Sequence, residues 1–282
     1  MRPMKNRPSY MFGVGPTRDL SLRVSVAVLA RVLFKHPVNG TWMLALERKA
    51  TLRQTGEKRI VRVEGQPFGG AVQIKDLVAL RDLIGEFRFD SERSRSESDF
   101  RLFIQPESWQ RVRVNCIELL RRDEDVVLDT DPSRELVEEF FDTLRTHLSP
   151  DQFSTQTDGI FIEDYPSSTT NTRARGFATV RVYQTYEARI QDVAVTKKIV
   201  ENTDSISDRE LNEMALRDYK NKGRGRANAA LALPYQDFLD YLSSLPFEKR
   251  NEMVEYKDHY IASSVFAILD GVANPKYRRY DN

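Results

Sequence analysis

The stretch that most constrains this chain is Asp-Pro-Ser-Arg-Glu-Leu-Val-Glu-Glu-Phe, residues 131–140. It carries its own helix start. Asp131 is a good N-cap, and Pro132 falls at the first helical position, where its missing N–H costs nothing. On a helix, Glu135, Glu138, Glu139 and Asp142 lie at i, i+3, i+4 and i+7, which puts all these carboxylates on one face. Leu136, Val137, Phe140, Phe141 and Leu144 make the other face, which is apolar and must be buried. Like charges at these spacings repel, by a few tenths of a kcal/mol per pair. The fold must therefore give one side of this helix a core while tolerating concentrated negative charge on the other. A solvated acidic surface is one way to do so. Binding divalent cations is another, because hard ions such as Mg²⁺ take oxygen ligands and carboxylates supply them with charge.

The bulk properties narrow the setting. A chain of 282 residues has room for one large domain or two small ones, and 40% hydrophobic with 30% charged residues is ordinary for a globular protein. With 43 basic and 42 acidic residues the net charge is +1, so nothing global favours nucleic acid or a membrane surface. The single cysteine, Cys116, excludes an internal disulfide and a cysteine-based zinc site, and reads as a packed thiol. His36, His147 and His259 are scattered without metal-site spacing. No apolar run approaches the roughly 18 residues needed to span a bilayer, and no signal peptide is evident. The expected location is cytoplasmic.

Along the chain, residues 1–19 read as an irregular arm. Residues 21–34 are rich in β-branched side chains and predict a long strand, turned by Asn39-Gly40 into a returning strand at Trp42–Glu47. Further strands are predicted at 59–64, 100–104, 111–120, 159–162, 178–190 and 229–233. Helices are predicted at 76–87, 131–144, 207–219, 235–243, 247–256 and 259–270. Residues 90–99 are a polar, low-complexity loop. The paired glycines Gly69 and Gly70 permit positive φ and close approach of backbone to a ligand. Strands and helices mix without a strict βαβ rhythm, which predicts an α+β fold with a mixed sheet flanked by helices.

Arg134-Glu135-Leu136-Val137-Glu138-Glu139 resembles the second half of the Nudix box, G-x5-E-x7-R-E-U-x-E-E-x-G-U with U aliphatic. The approach through a hairpin and a Gly-Gly strand end is similar too, and the resemblance covers roughly residues 20–245. It is not complete. In this chain 63 residues separate Gly70 from Arg134, far more than the pattern allows, so about 71–130 reads as an insertion. The pattern's first glutamate falls on Asp76, and its late glycine is Phe141. Arg81-Asp82-Leu83-Ile84-Gly85-Glu86 is a second match that lacks one of the paired glutamates. A split box of this kind is similar to the SMODS-associated Nudix domains found beside bacterial nucleotide-signalling defence genes.

That resemblance implies a Nudix-like domain at 20–245 with extra C-terminal helices at 246–282. It implies a hydrolase cleaving a phosphoanhydride in a nucleoside diphosphate-linked or signalling nucleotide, in the setting of bacterial antiviral defence, with Mg²⁺ or Mn²⁺. Glu138 and Glu139 would ligate the metal, Glu135 would be a further ligand or a group supporting the ligands from behind, and Arg134 would pair with a carboxylate and hold the helix geometry. Gly69 and Gly70 would let backbone approach metal or phosphate. Asp142 joins this set from the face geometry alone. Arg224 and Arg226, in Lys-Asn-Lys-Gly-Arg-Gly-Arg, are candidates to grip phosphate, as are Arg173 and Arg175. Tyr183 and Tyr186 could stack on a base or simply pack. The alternative is a catalytically silent Nudix-fold nucleotide sensor or interaction module. A homodimer is left open.

Overall fold

A computed structural model describes residues 20–55, 58–122, 126–168, 177–269 and 272–280. The strands of its first half are β1 (Leu22–Lys35), β2 (Trp42–Thr55), β3 (Lys58–Gln66), β4 (Phe68–Ala71), β5 (Gln73–Ile74), β6 (Arg88–Phe89), β7 (Arg101–Ile104) and β8 (Leu128–Asp129). Later come β9 (Phe153–Ser168), β10 (Ala178–Ile190), β11 (Arg226–Pro234), β12 (Val254–Tyr256), β13 (His259–Ile261) and β14 (Arg278–Tyr280). The helices are α1 (Leu77–Ile84), α2 (Glu92–Ser96), α3 (Trp109–Arg121), α4 (Pro132–Leu144), α5 (Val193–Ser205), α6 (Asp208–Lys220) and α7 (Tyr235–Ser244).

Strand β1 organises the sheet. Its residues are buried almost without interruption, as expected of a strand covered on both faces. One edge pairs in parallel with β10, from Arg23↔Thr179 to Phe34↔Ile190. The other edge meets three antiparallel partners in turn: β7 at Leu22–Ser25, β4 at Ala27–Ala30 and β2 at Val32–Lys35. Beyond β1, strand β2 is held between β3 and β11. Strands β9 and β14 extend the opposite side. The sheet is mixed and helices flank it, so the α+β expectation holds. The main core, including Val24, Val26, Phe68, Leu136, Phe140 and Tyr186, lies between this sheet and the helices. No described helix is long and apolar enough to cross a membrane.

Several elements differ from expectation. Residues 111–120 form part of helix α3, not a strand. Val112, Cys116, Ile117 and Leu120 are its buried residues, and that spacing is helical rather than alternating. The polar loop 90–99 contains the short helix α2, capped by Ser91, whose hydroxyl accepts the Ser94 N–H. The predicted helices at 247–256 and 259–270 are not formed. Two short 3₁₀ turns, Phe247–Asn251 and Ser263–Ile268, flank the hairpin β12–β13. Lys257 and Asp258 both have positive φ there, 47° and 64°, the conformation of a two-residue hairpin turn. The C-terminal residues thus add strands to the same sheet rather than a helical extension. The insertion is also built in, since β7 pairs with β1 and Phe100, Leu102, Val112 and Leu120 share the main core. The N-terminal arm, 1–19, lies outside the described residues.

Candidate functional site

Helix α4 begins as its sequence requires: Asp131 accepts the Ser133 N–H at 2.8 Å and Pro132 occupies the first turn. Its orientation is rotated from expectation. Leu136 and Phe140 are buried, with Phe140 packed on Phe68 at 4.7 Å between ring centroids. Phe141, expected in the core, is exposed and stacks on His147, while Glu135 and Thr143 are buried. The carboxylate face therefore straddles the edge of the core. Glu135 and Glu139 turn inward, and Glu138 and Asp142 remain exposed.

Arg134 ties this helix to the insertion. Its Nε donates to Asp129 Oδ2 at 2.6 Å, Nη2 to Glu135 Oε1 at 2.6 Å, and Nη1 to both Glu138 oxygens at 3.2 Å. Burial works against the guanidinium charge, but Glu135, Asp129 and Glu138 more than offset it. Arg134 is thus paired with carboxylates on both sides of the start of α4. Burial also raises the Glu135 pKa, with Arg134 opposing the shift.

The glycine pair beneath α4 serves packing in the described structure. A Cβ on Gly70 would lie 1.9 Å from Glu135 Oε2. A Cβ on Gly69, where φ is +144°, would lie 2.0 Å from the Val28 carbonyl oxygen. What approaches this backbone is the Glu135 carboxylate and strand β1.

The inward carboxylates meet a residue that the sequence reading did not single out. Glu47, on β2, is fully buried. Its Oε2 accepts from Lys49 Nζ and from Gln66 Nε2, each at 2.8 Å. Its Oε1 has no hydrogen-bond partner among the described residues. Burial, and then Glu47, push the Glu139 carboxyl up to about 8, against the pull of Lys49. Burial disfavours the Lys49 ammonium, yet Glu47 and Glu139 outweigh it and raise its pKa. The available clue to Glu47 was a glutamate and a lysine at alternate positions of a strand that is otherwise apolar, in Leu-Ala-Leu-Glu-Arg-Lys-Ala.

Comparison with family models, with curated proteins and with solved structures finds no match. The site must be read from its own chemistry. Among the described residues, no three acidic, histidine or cysteine side chains converge closely enough, as placed, to hold a metal ion. Glu47 does offer a buried oxygen without a hydrogen-bond partner, the donor type that a hard cation takes, and Glu139 is repelled by the Glu47 carboxylate.

The remaining candidates divide. Arg226 starts β11, opposite Thr51 of β2 and one pair removed, on the same face, from Lys49. Arg224 lies just before it and is exposed. Arg226 therefore lies on the side of the sheet that carries Glu47. Tyr183 and Tyr186 are buried, and Tyr186 is only 1% exposed, so neither presents a ring for stacking on a base. Asp76 is the N-cap of α1, accepting the Val78 and Ala79 N–H groups at 2.9 Å. The alternative match, 81–86, ends α1, with Gly85 as its C-cap. Arg173 and Arg175 lie outside the described residues.

Proposed function

We propose that this chain is a metal-dependent hydrolase of the Nudix type, cleaving a phosphoanhydride in a nucleotide. One observation carries the reading: Glu139 of the acidic helix turns inward toward Glu47, whose buried Oε1 lacks a partner. Glu139 and Glu47 would hold Mg²⁺ or Mn²⁺, with Glu135 beside them. The ion, when bound, would neutralise pyrophosphate charge and lower the pKa of a bound water. The chain's own contribution is positional. Arg134 fixes Glu135 and Glu138 relative to Asp129, so the helix presents its inward carboxylates in one register. Glu138, exposed and held by Arg134, acts in this arrangement as a positioning residue. A signalling nucleotide in bacterial defence is the setting that the split Arg-Glu-Leu-Val-Glu-Glu box supports.

Lys49 favours a second reading. Its ammonium already lies at Glu47, within reach of Glu139, where a metal's charge would act. A nucleotide sensor without catalysis would keep such a fixed internal cation.

Thermal stability across a nucleotide panel, with and without Mg²⁺ or Mn²⁺, tests the choice when joined to phosphorus NMR of the products. A ligand at 100 times its Kd adds about 2.7 kcal/mol. The hydrolase reading expects metal and nucleotide to stabilise the wild type together, cleavage of the anhydride, and loss of both effects in Glu139→Gln. Stabilisation by nucleotide alone, equal in both proteins and with no product, selects the sensor.

A further inference from the structure

Arg226 lies within electrostatic reach of three other arginines from separate stretches of the chain. Arg93 lies on α2 and Arg101 on β7, both within the 71–130 insertion, whereas Arg224 and Arg226 come from the loop leading into β11. Arg226 is within electrostatic reach of the other three, Arg224 reaches Glu97, and Arg93 reaches Glu139. The insertion's two arginines have local partners, Glu97 and Asp99, each at 2.6 Å. Among the described residues, Arg224 and Arg226 form no ion pair. Arg93 and Arg101 are thus matched by carboxylates in direct contact, whereas Arg224 and Arg226 feel Glu97 and Glu47 only from a distance and keep their guanidinium donors open.

The basic loop is built to stay in place. Asp218, near the end of α6, accepts the Gly225 N–H at 2.8 Å and the Arg226 N–H at 3.3 Å. The Leu52 N–H donates to the Gly225 carbonyl at 2.9 Å, stitching the loop to β2. Gly225 has φ +68°, and a Cβ there would lie 2.8 Å from Leu52 Cβ. Across from it, α2 is anchored by Asp90, which accepts from Ser94 Oγ at 2.6 Å and pairs with the buried Arg23 at 2.8 Å. Two fixed elements thus hold mutually repelling cations together before any ligand arrives, which lowers the ordering cost of binding an anion.

We infer that the insertion is a phosphate-binding arm: Arg93 and Arg101 close with Arg224 and Arg226 on the polyphosphate chain of the ligand, beside Glu47 and Glu139. Planar guanidinium forks match phosphate oxygens two at a time. Guanidinium groups spread over two elements suit a chain of linked phosphates better than one phosphate. The placement of that chain rests on the nucleotide reading above, but its capture requires neither metal nor turnover.

Calorimetric titration of the full chain with inorganic tripolyphosphate, free of divalent cations, tests the arm. The wild type should bind, and added salt should weaken binding. Arg93→Ala should lose about tenfold in affinity, and Arg224→Ala/Arg226→Ala more. Glu139→Gln, which leaves all four arginines in place and adds no negative charge, should bind at least as tightly. Unchanged affinity in the loop double variant, or in Arg93→Ala, overturns the arm. If an alanine variant fails to fold by circular dichroism, Arg93→Lys and Arg226→Lys decide: they keep the charge but lose the fork, so affinity should fall to an intermediate value. Retained wild-type affinity in both overturns the proposal. If tripolyphosphate behaves as expected but no nucleotide is cleaved with Mg²⁺ or Mn²⁺, the arm stands and the hydrolase reading falls. If Arg93→Ala and the loop double variant cleave nucleotide like the wild type, the reverse holds.

Discussion

Gly70→Ala is the sharpest probe of how the acidic helix is seated. The new methyl carbon would lie 1.9 Å from Glu135 Oε2 and 2.8 Å from its Cδ, so the side chain must move. A free glutamate would swing aside at little cost. This one is only 6% exposed and accepts from Arg134 Nη2 at 2.6 Å. Overpacking in a filled interior costs about 1–3 kcal/mol, and losing a charge-assisted hydrogen bond costs roughly 1.5–3 kcal/mol. A total near 3 kcal/mol is expected, which lowers the melting temperature by roughly 6 °C or more. Denaturant unfolding should be measured for the wild type, Gly70→Ala, Glu135→Ala and the double variant. Glu135→Ala removes the atoms that the methyl group meets, so in that background Gly70→Ala should cost under about 0.5 kcal/mol. If the glycine substitution costs the same in both backgrounds, the contact between β4 and the Glu135 carboxylate is not what seats α4.

Other consequences are separately measurable. Because Glu139 titrates near 8 when folded and in the ordinary carboxyl range when unfolded, the native state binds more protons between those values. Metal-free stability should therefore fall as pH rises toward 8, and Glu139→Gln should flatten that slope in urea titrations. Lys49→Met removes the cation between Glu47 and Glu139 and should destabilise the metal-free protein by about 3–5 kcal/mol, with Mn²⁺ restoring more stability than it adds to the wild type. An equal Mn²⁺ effect in both proteins would show that lysine and metal do not share a site. Cys116 is fully buried and its thiol is pushed up to about 12 by burial, so maleimide should label it only on unfolding, as read by mass spectrometry.

What could be read from the sequence depended on how local its cause was. The start of α4 and the pairing of Arg134 are set within a few residues, and both were legible, whereas which side of the helix faces the core was not, since Phe141 is exposed and Glu135 buried. Long strands at 21–34 and 178–190 were legible for the same reason, since their β-branched runs need no partner to be recognised. Helix α3 was misread because Val112, Val114 and Ile117 favour strands by type, while only burial shows their helical spacing. The C-terminal hairpin turns on Lys257-Asp258, which lacks the glycine that marks most such turns. Glu47 was hidden for a deeper reason. Its burial follows from β2 lying between β3 and β11, the latter pairing residues more than 170 positions apart, such as Glu47 with Ala230. The glycine pair was recognised as a close-approach site, but its partner, Glu135, lies 65 positions beyond Gly70.

The parallel seam between β1 and β10 has a bearing on how the chain is made. Twelve consecutive residue pairs join strands such as Val24 and Val180, 156 positions apart. Until β10 has emerged during synthesis, this long and almost wholly buried strand carries a bare edge that its neighbours β2, β4 and β7 do not cover. Such long-range closure is slow, and an open apolar edge invites pairing with another nascent chain. A half-made chain would thus expose an edge that a β10 strand from a second copy could pair in the same register.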